Sequence, residues 1–194
     1  DRKKIDEKGD KILLTDKERK NWMDWKDLSV ASDDKKLNSR DRAIVGLYTL
    51  IPPRRVQMSG LLTLTNTDEK LNDKYNYLFV NKKKLPTKII MLAYKTAGTY
   101  KRQDIVLPNK LRRILTTYIN EYDIQLNKPV FPTSRGKHSG GYYAEFSNQI
   151  SKAFEKATGK NITVNILRHS KITQFLRGGR KVPSPEAKKR LAKE

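Results

Sequence analysis

Apolar residues recur at helical spacing over most of this chain and give way, near its middle, to three short runs that read as strands. Thr15-Asp16-Lys17-Glu18 has the form of a capping box, in which a hydroxyl and a carboxylate serve each other's first-turn N–H groups. Trp22, Trp25 and Leu28 follow at i, i+3 and i+6, one face of a helix whose tryptophans belong in a core. Ser32 to Ser39 is polar and loop-like. Asp41 to Ile51 places Ala43, Ile44, Leu47, Tyr48 and Ile51 on one stripe. Pro52-Pro53 ends it, because a residue before proline is pushed out of the helical region. An apolar helical turn is expected after Arg54-Arg55, through Val56, Met58, Leu61 and Leu62.

Asn66 to Tyr75 is a polar, turn-rich loop. The strand-like runs are Tyr75 to Val80, Thr87 to Ala93 and Arg102 to Leu107, joined by Asn81-Lys82-Lys83-Lys84 and by Lys95-Thr96-Ala97-Gly98-Thr99. They predict an antiparallel meander with Gly98 supplying turn freedom. Pro108 to Tyr122 reads as a helix with Pro108 at its first position and Leu111, Ile114, Leu115, Tyr118 and Ile119 inward. Tyr142 to Ala157 is a further helix, closed by Gly159. Another begins near Asn165 and runs to Leu176 before Gly178-Gly179, and a last one starts at Ser184-Pro185-Glu186. The expected fold is α+β and mainly α-helical: one domain of about six helices with a small three-stranded antiparallel sheet. Residues 1–10 read as a flexible end or linker, and residues 11–194 as the domain.

Charge changes this picture. The chain has 42 Lys+Arg against 21 Asp+Glu, a formal net charge of +21, and the basic residues run along its whole length. Such a surface attracts a polyanion, and nucleic acid, DNA or RNA, is the expected partner. Compositional bias toward Lys, Asn and Ile is the plainer source of the same excess. There is no cysteine, which excludes disulfides, thiolate zinc sites and a cysteine nucleophile. With two histidines, a histidine metal site is not expected. No apolar run approaches the roughly 18 residues of a membrane span, and the charged start is not a signal peptide. No membrane is expected, and the chain reads as an intracellular, DNA- or RNA-facing domain.

Arg54 and Arg55 sit at the start of an apolar turn, where a helix dipole disfavours cations unless an anion such as phosphate is bound there. As ordinary exposed charges they need no partner. Lys95 lies at the tip of the second strand connection, with Lys101 the competing lysine, and either is also at home as a surface lysine. His138, in a glycine-rich loop, reads as solvated.

Thr163-Val164-Asn165-Ile166-Leu167-Arg168-His169-Ser170-Lys171-Ile172-Thr173 resembles the second signature box of the tyrosine recombinases and phage-type integrases, His-x-x-Arg-His-(Ser/Thr), with Asn165 in place of the leading histidine. Pro52 to Leu62 resembles their first box, Gly-x-Arg-x-x-Glu, with Arg54 at the arginine and Gln57 where Glu or Asp is usual. Its Pro-Pro-Arg-Arg form resembles a variant in integrases of large DNA viruses and their mobile elements. Tyr94-Lys95-Thr96 before Ile105-Val106-Leu107-Pro108 is similar to the family's lysine hairpin, and Val130-Phe131-Pro132 to its phenylalanine-proline segment.

The resemblance implies the family's catalytic-domain fold and DNA integration or site-specific recombination on double-stranded DNA through a 3′-phosphotyrosine, with no cofactor, wherever that DNA lies: cytoplasm, nucleus or virion. Arg54 and Arg168 would bracket the phosphate, and Lys95 would protonate the leaving 5′-oxygen. Asn165 would donate a hydrogen bond to phosphate, or serve only as a helix cap. His169 would buttress the site, or be an ordinary hydrogen-bonded side chain. The last tyrosine is Tyr143, so the resemblance places the nucleophile beyond Glu194. This chain alone would then not cleave. The full-length protein would work as a homo-tetramer on DNA, and this chain as a monomer. The alternatives are a non-catalytic DNA-binding protein that keeps the fold, and a type IB topoisomerase-like enzyme.

Overall fold

In the computed structural model, which describes residues 14–138 and 143–178, the chain begins with α1 (Asp16–Lys20). Its capping box forms as expected: the Glu18 N–H donates to Thr15 Oγ1 at 3.2 Å, and the Thr15 N–H donates to Glu18 Oε2 at 2.9 Å. Asn21 then closes the helix, so the tryptophan stripe is split. Trp25 and Leu28 are buried on the single turn α2 (Trp25–Leu28), while Trp22 is half-buried ahead of it.

A 3₁₀ turn (Ala31–Asp33) leads to α3 (Ser39–Thr49), capped by Asn38, whose side chain accepts from the Asp41 N–H at 2.7 Å. Ala43, Ile44, Val45, Leu47 and Tyr48 of α3 are all fully buried. A helix that is apolar on more than one side is a core helix, and α3 has neighbours on either side of it, described below.

After the prolines come α4 (Gln57–Gly60), a single turn, and then β1 (Leu62–Thr65), a strand where the sequence pattern indicated only more helical turn. The sheet therefore has four strands, not three: β1, β2 (Asn76–Val80), β3 (Pro86–Met91) and β4 (Gln103–Val106), side by side in that order. It is also mixed, not purely antiparallel. β1 runs parallel to β2, pairing Leu62 with Asn76 and Thr65 with Phe79, and the β2–β3 and β3–β4 pairs are antiparallel. The physical reason is long-range. The other edge of β1 is paired by the segment around Pro129: Asn127 N–H donates to Leu64 O, Leu64 N–H to Lys128 O and Val130 N–H to Leu62 O. Flanked on both edges, all four residues of β1 are buried.

The β3–β4 connection, 92–102, is not a tight hairpin around Gly98. It contains one turn of helix, α5 (Ala97–Tyr100). Pro108 is the N-cap of α6 (Asn109–Glu121), one position before its expected place. α7 (Tyr143–Thr158) ends at Gly159, whose φ of 71° is the left-handed conformation expected of that glycine. α8 is Val164–Arg177. Among the described residues there are thus eight α-helices, four of them with five residues or fewer, where about six were expected.

α3 packs against both α6 and α7. Tyr118 of α6 stacks on Phe131 at 5.2 Å between centroids, and its hydroxyl donates to Val130 O at 2.7 Å. Phe131 in turn meets Phe146 of α7. The segment that edges β1 is thereby tied into the helical core. The expected flexible end (1–10) and the helix expected from Ser184 lie outside the described residues, as does Gly179.

Candidate active site

Pro52 and Pro53 follow the end of α3 and lead directly into Arg54 and Arg55. Arg54 is half-buried and Arg55 is exposed. Arg54 Nη1 donates to Gln103 Oε1, on β4, at 3.2 Å. Tyr94 lies beside this pair. Burial pushes its hydroxyl above the ordinary value, and the Arg54 charge and the Gln103 side chain pull it back. The helix that follows is only four residues long. Any attraction for an anion here therefore comes from the guanidinium groups rather than from a helix dipole, contrary to the sequence expectation.

Arg168 reaches the same neighbourhood from α8. Thr163 caps that helix, its Oγ1 accepting from the Ile166 N–H at 3.3 Å. Asn165 is consequently not the cap. It lies inside the first turn, with its side chain exposed. Ser170 pins α8 from behind, its buried hydroxyl donating to Met23 O at 2.9 Å, and Lys171 sits over the Trp25 ring at 4.8 Å. Arg168 is half-buried. Burial first, and then the like charge of Arg55, hold its guanidinium below the ordinary value.

Among the described residues, neither Arg55 nor Arg168 forms an ion pair with a carboxylate. Two guanidinium groups that repel each other at a partly desolvated site gain when an anion bridges them, and their planar forks match a phosphate.

His169 is half-buried, and its Nδ1 is buried without a hydrogen-bond partner among the described residues. The plain reading of a hydrogen-bonded histidine therefore fails at that nitrogen. Lys95 is exposed on the turn that follows Tyr94. Lys101 closes α5 with φ 58° and ψ −156°, a conformation almost confined to glycine, and its carbonyl accepts from the Tyr94 hydroxyl at 2.5 Å. The structure thus brings Arg54, Tyr94 and Gln103 together, and Arg55 with Arg168.

Two residues of this region, Gln103 and Asn76, carried no sequence signal strong enough to single them out. Gln103 opens an ordinary strand. Asn76 is a polar residue at the head of an apolar strand, which was the available hint; its side chain makes four hydrogen bonds, described below. His138 is corrected as well. It is half-buried rather than solvated, stacked on Tyr75 at 4.5 Å, with Nε2 2.7 Å from Thr63 Oγ1. Burial pushes its imidazole below the ordinary value.

No group of three or more His, Cys, Asp or Glu side chains that could hold a metal occurs among the described residues. No helix among them is long and apolar enough to cross a membrane.

Among solved structures, this chain is similar to a XerA recombinase, with a TM-score of 0.50 and 18% sequence identity over 87% of this chain and 50% of that one. The fold is that of a tyrosine recombinase. At this identity the likeness speaks for the fold alone, and the chain spans half the length of that recombinase. No protein-family model and no curated protein matches the chain.

Proposed function

We propose that residues 11–194 form the phosphate-binding body of a tyrosine recombinase or integrase catalytic domain, acting on double-stranded DNA. The observation that carries this is that Arg55, next to Arg54, stands near enough to Arg168 for their like charges to interact, in a recombinase-like fold. In that reaction a tyrosine oxygen bonds to the scissile phosphorus, the bond to the 5′-oxygen breaks, and the departing oxygen takes up a proton. The non-bridging oxygens gain charge in the transition state. Arg54 and Arg168 bracket them, with Arg55 alongside. Loss of one such preorganised donor costs about 2.7–4 kcal/mol. Lys95, exposed next to Tyr94, is the general acid. Asn165, exposed in the first turn of α8, donates a hydrogen bond to the phosphate, and His169 buttresses the site. No step calls for a cofactor, because the phosphotyrosyl bond conserves the energy of the phosphodiester.

The nucleophile belongs to sequence beyond Glu194, and the full-length protein works as a tetramer on paired sites. The layout of the arginine helix and the lysine-bearing connection favours an integrase over a type IB topoisomerase, and the Pro-Pro-Arg-Arg turn favours one of a DNA virus or mobile element.

The test is covalent trapping. The full-length product, incubated with a nicked duplex from its own element's end, should yield a detergent-resistant protein–DNA adduct that maps to a tyrosine and vanishes in Arg54→Ala. Tight, salt-sensitive binding with no adduct would replace this reading with a DNA-binding protein that keeps the fold. Asn165 favours that second reading, since an amide cannot exchange protons near neutral pH.

A further inference from the structure

Asn76 is completely buried at the head of β2, and its carboxamide joins two segments that the proposed chemistry needs in register. Its Nδ2 donates to Gln57 O at 2.9 Å and to Ala93 O at 3.0 Å. Its Oδ1 accepts from the Leu92 and Ala93 N–H groups, both at 2.9 Å. A carboxamide has two donor hydrogens and two acceptor lone pairs, so all four are used. Gln57 opens the helical turn just after Arg54-Arg55. Leu92 and Ala93 are the stem of the loop that carries Lys95. Backbone pairing does not supply this link, because β3 ends at Met91 and its ladder with β2 stops at Ile90 opposite Tyr77. The far end of the same loop is held separately, by Gln103 on Arg54 and by the Tyr94 hydroxyl on Lys101 O.

We propose that Asn76 is a positioning residue for strand cleavage, its carboxamide fixing the lysine-bearing loop against the arginine turn. It touches no substrate. It acts by setting where the general acid stands relative to the guanidinium groups, and a shift of about 1 Å at such a centre is worth orders of magnitude in rate. An apolar side chain here would leave the Leu92 and Ala93 N–H groups and the Gln57 and Ala93 carbonyls without this partner, so the node serves the fold as well as the site. A fully satisfied polar node also fixes one arrangement.

This role rests on the recombinase reading, and the test separates the two. Cleavage by the full-length protein is measured on two nicked duplexes, one with the normal 5′-bridging oxygen at the scissile phosphate and one with sulfur there. Sulfur leaves as a thiolate and needs no general acid. Asn76→Ala should slow the oxygen substrate by about 10-fold or more and leave the sulfur substrate within about 2-fold of wild type. Equal slowing of both would mean that Asn76 serves only the fold, and would overturn the proposal. A wild type that cleaves neither would overturn the recombinase reading and this role with it.

Hydrogen exchange on the 194-residue chain reads the geometry independently of activity. In Asn76→Ala the Leu92 and Ala93 amides should lose protection while Ile89 and Ile90 keep theirs, and uniform loss across the sheet would count against a local role. If Asn76→Ala does not fold, Asn76→Asp keeps the volume and both acceptor bonds, while its second oxygen, even when protonated, can donate to only one of Gln57 O and Ala93 O. It should show the same selective loss on the oxygen substrate, and equal slowing of both substrates would again overturn the role.

Discussion

Burial and, after it, the like charge of Arg55 lower the proton affinity of Arg168, although Arg55 belongs to the turn after α3 and Arg168 to α8. Like charges are brought together at a cost, and here among the described residues no carboxylate offsets it for either side chain. A bridging phosphate would remove the repulsion and add charge-assisted hydrogen bonds. Two partners of one phosphate should not act independently. Arg55→Ala and Arg168→Ala should each weaken duplex binding and reduce the slope of log affinity against log salt by about 1. The double variant should lose less than the sum of the two. Anisotropy titrations at several salt concentrations give both quantities. Strictly additive losses with unchanged slopes would place the two arginines on different ligands or on none.

Lys101 offers a test of stored strain. Its φ of 58° with ψ −156° is a backbone state that costs an ordinary residue about 1–3 kcal/mol and costs glycine little. The Tyr94 hydroxyl holds the Lys101 carbonyl in place. Lys101→Gly should therefore raise the unfolding free energy, read from urea titrations, by about 1 kcal/mol after the greater unfolded-state freedom of glycine is counted. Tyr94→Phe should lower it by a similar amount, about 1 kcal/mol, through the lost hydrogen bond. A destabilised Lys101→Gly would show that the loop prefers this conformation for reasons other than the tyrosine clamp.

Much of this arrangement could be read from the sequence, and the parts that could not have a common cause. α3, α6, α7 and α8 announce themselves through local periodicity, and the capping box at Thr15 through local chemistry. β1 does not, because its identity as a strand depends on a parallel partner at Asn76 to Phe79 and on the segment near Pro129. Thr163 and Asn165 are both plausible caps by composition, and the choice is made by where Val164 and Leu167 bury. Arg54 and Arg168 were marked by their motifs. The contact of Arg54 with Gln103, the approach of Arg55 to Arg168 and the four bonds of Asn76 are tertiary facts with no local signature.

The outer face of the sheet carries a charge network that sets an acid limit. Lys88 Nζ donates to Asp68 at 3.1 Å and to Asp104 at 2.8 Å, and Arg102 also grips Asp104. The Arg102 hydrogen bond, offset in part by burial and joined by Lys88, holds the Asp104 carboxyl down at about 2. A carboxyl depressed in the folded state stabilises above its unfolded value and loses that contribution as pH falls through its folded value. Stability should therefore drop between about pH 4 and pH 2. Asp104→Asn should flatten that drop in acid denaturation followed by circular dichroism. An identical acid limb in the variant would mean that other carboxylates control it.

His138 should act in a separate window nearer neutrality. Its ring is half-buried between Tyr75 and Thr63, and burial holds the imidazole below its ordinary value of 6.5. Desolvation disfavours the charged form, so the folded state binds the proton less readily than the unfolded chain. The contribution is complete above the unfolded value and is lost as pH falls through the folded one. Wild-type stability should thus begin to fall below about pH 6.5, well before Asp104 titrates. His138→Gln can still hydrogen-bond Thr63 Oγ1 and does not titrate in this range. Its urea midpoint should change less than that of wild type between pH 7.5 and pH 5, buffers chosen on either side of the reference histidine value of about 6.5. Parallel curves would mean that the ring opens to water before it protonates, and that the Tyr75 stack is too weak to keep it closed.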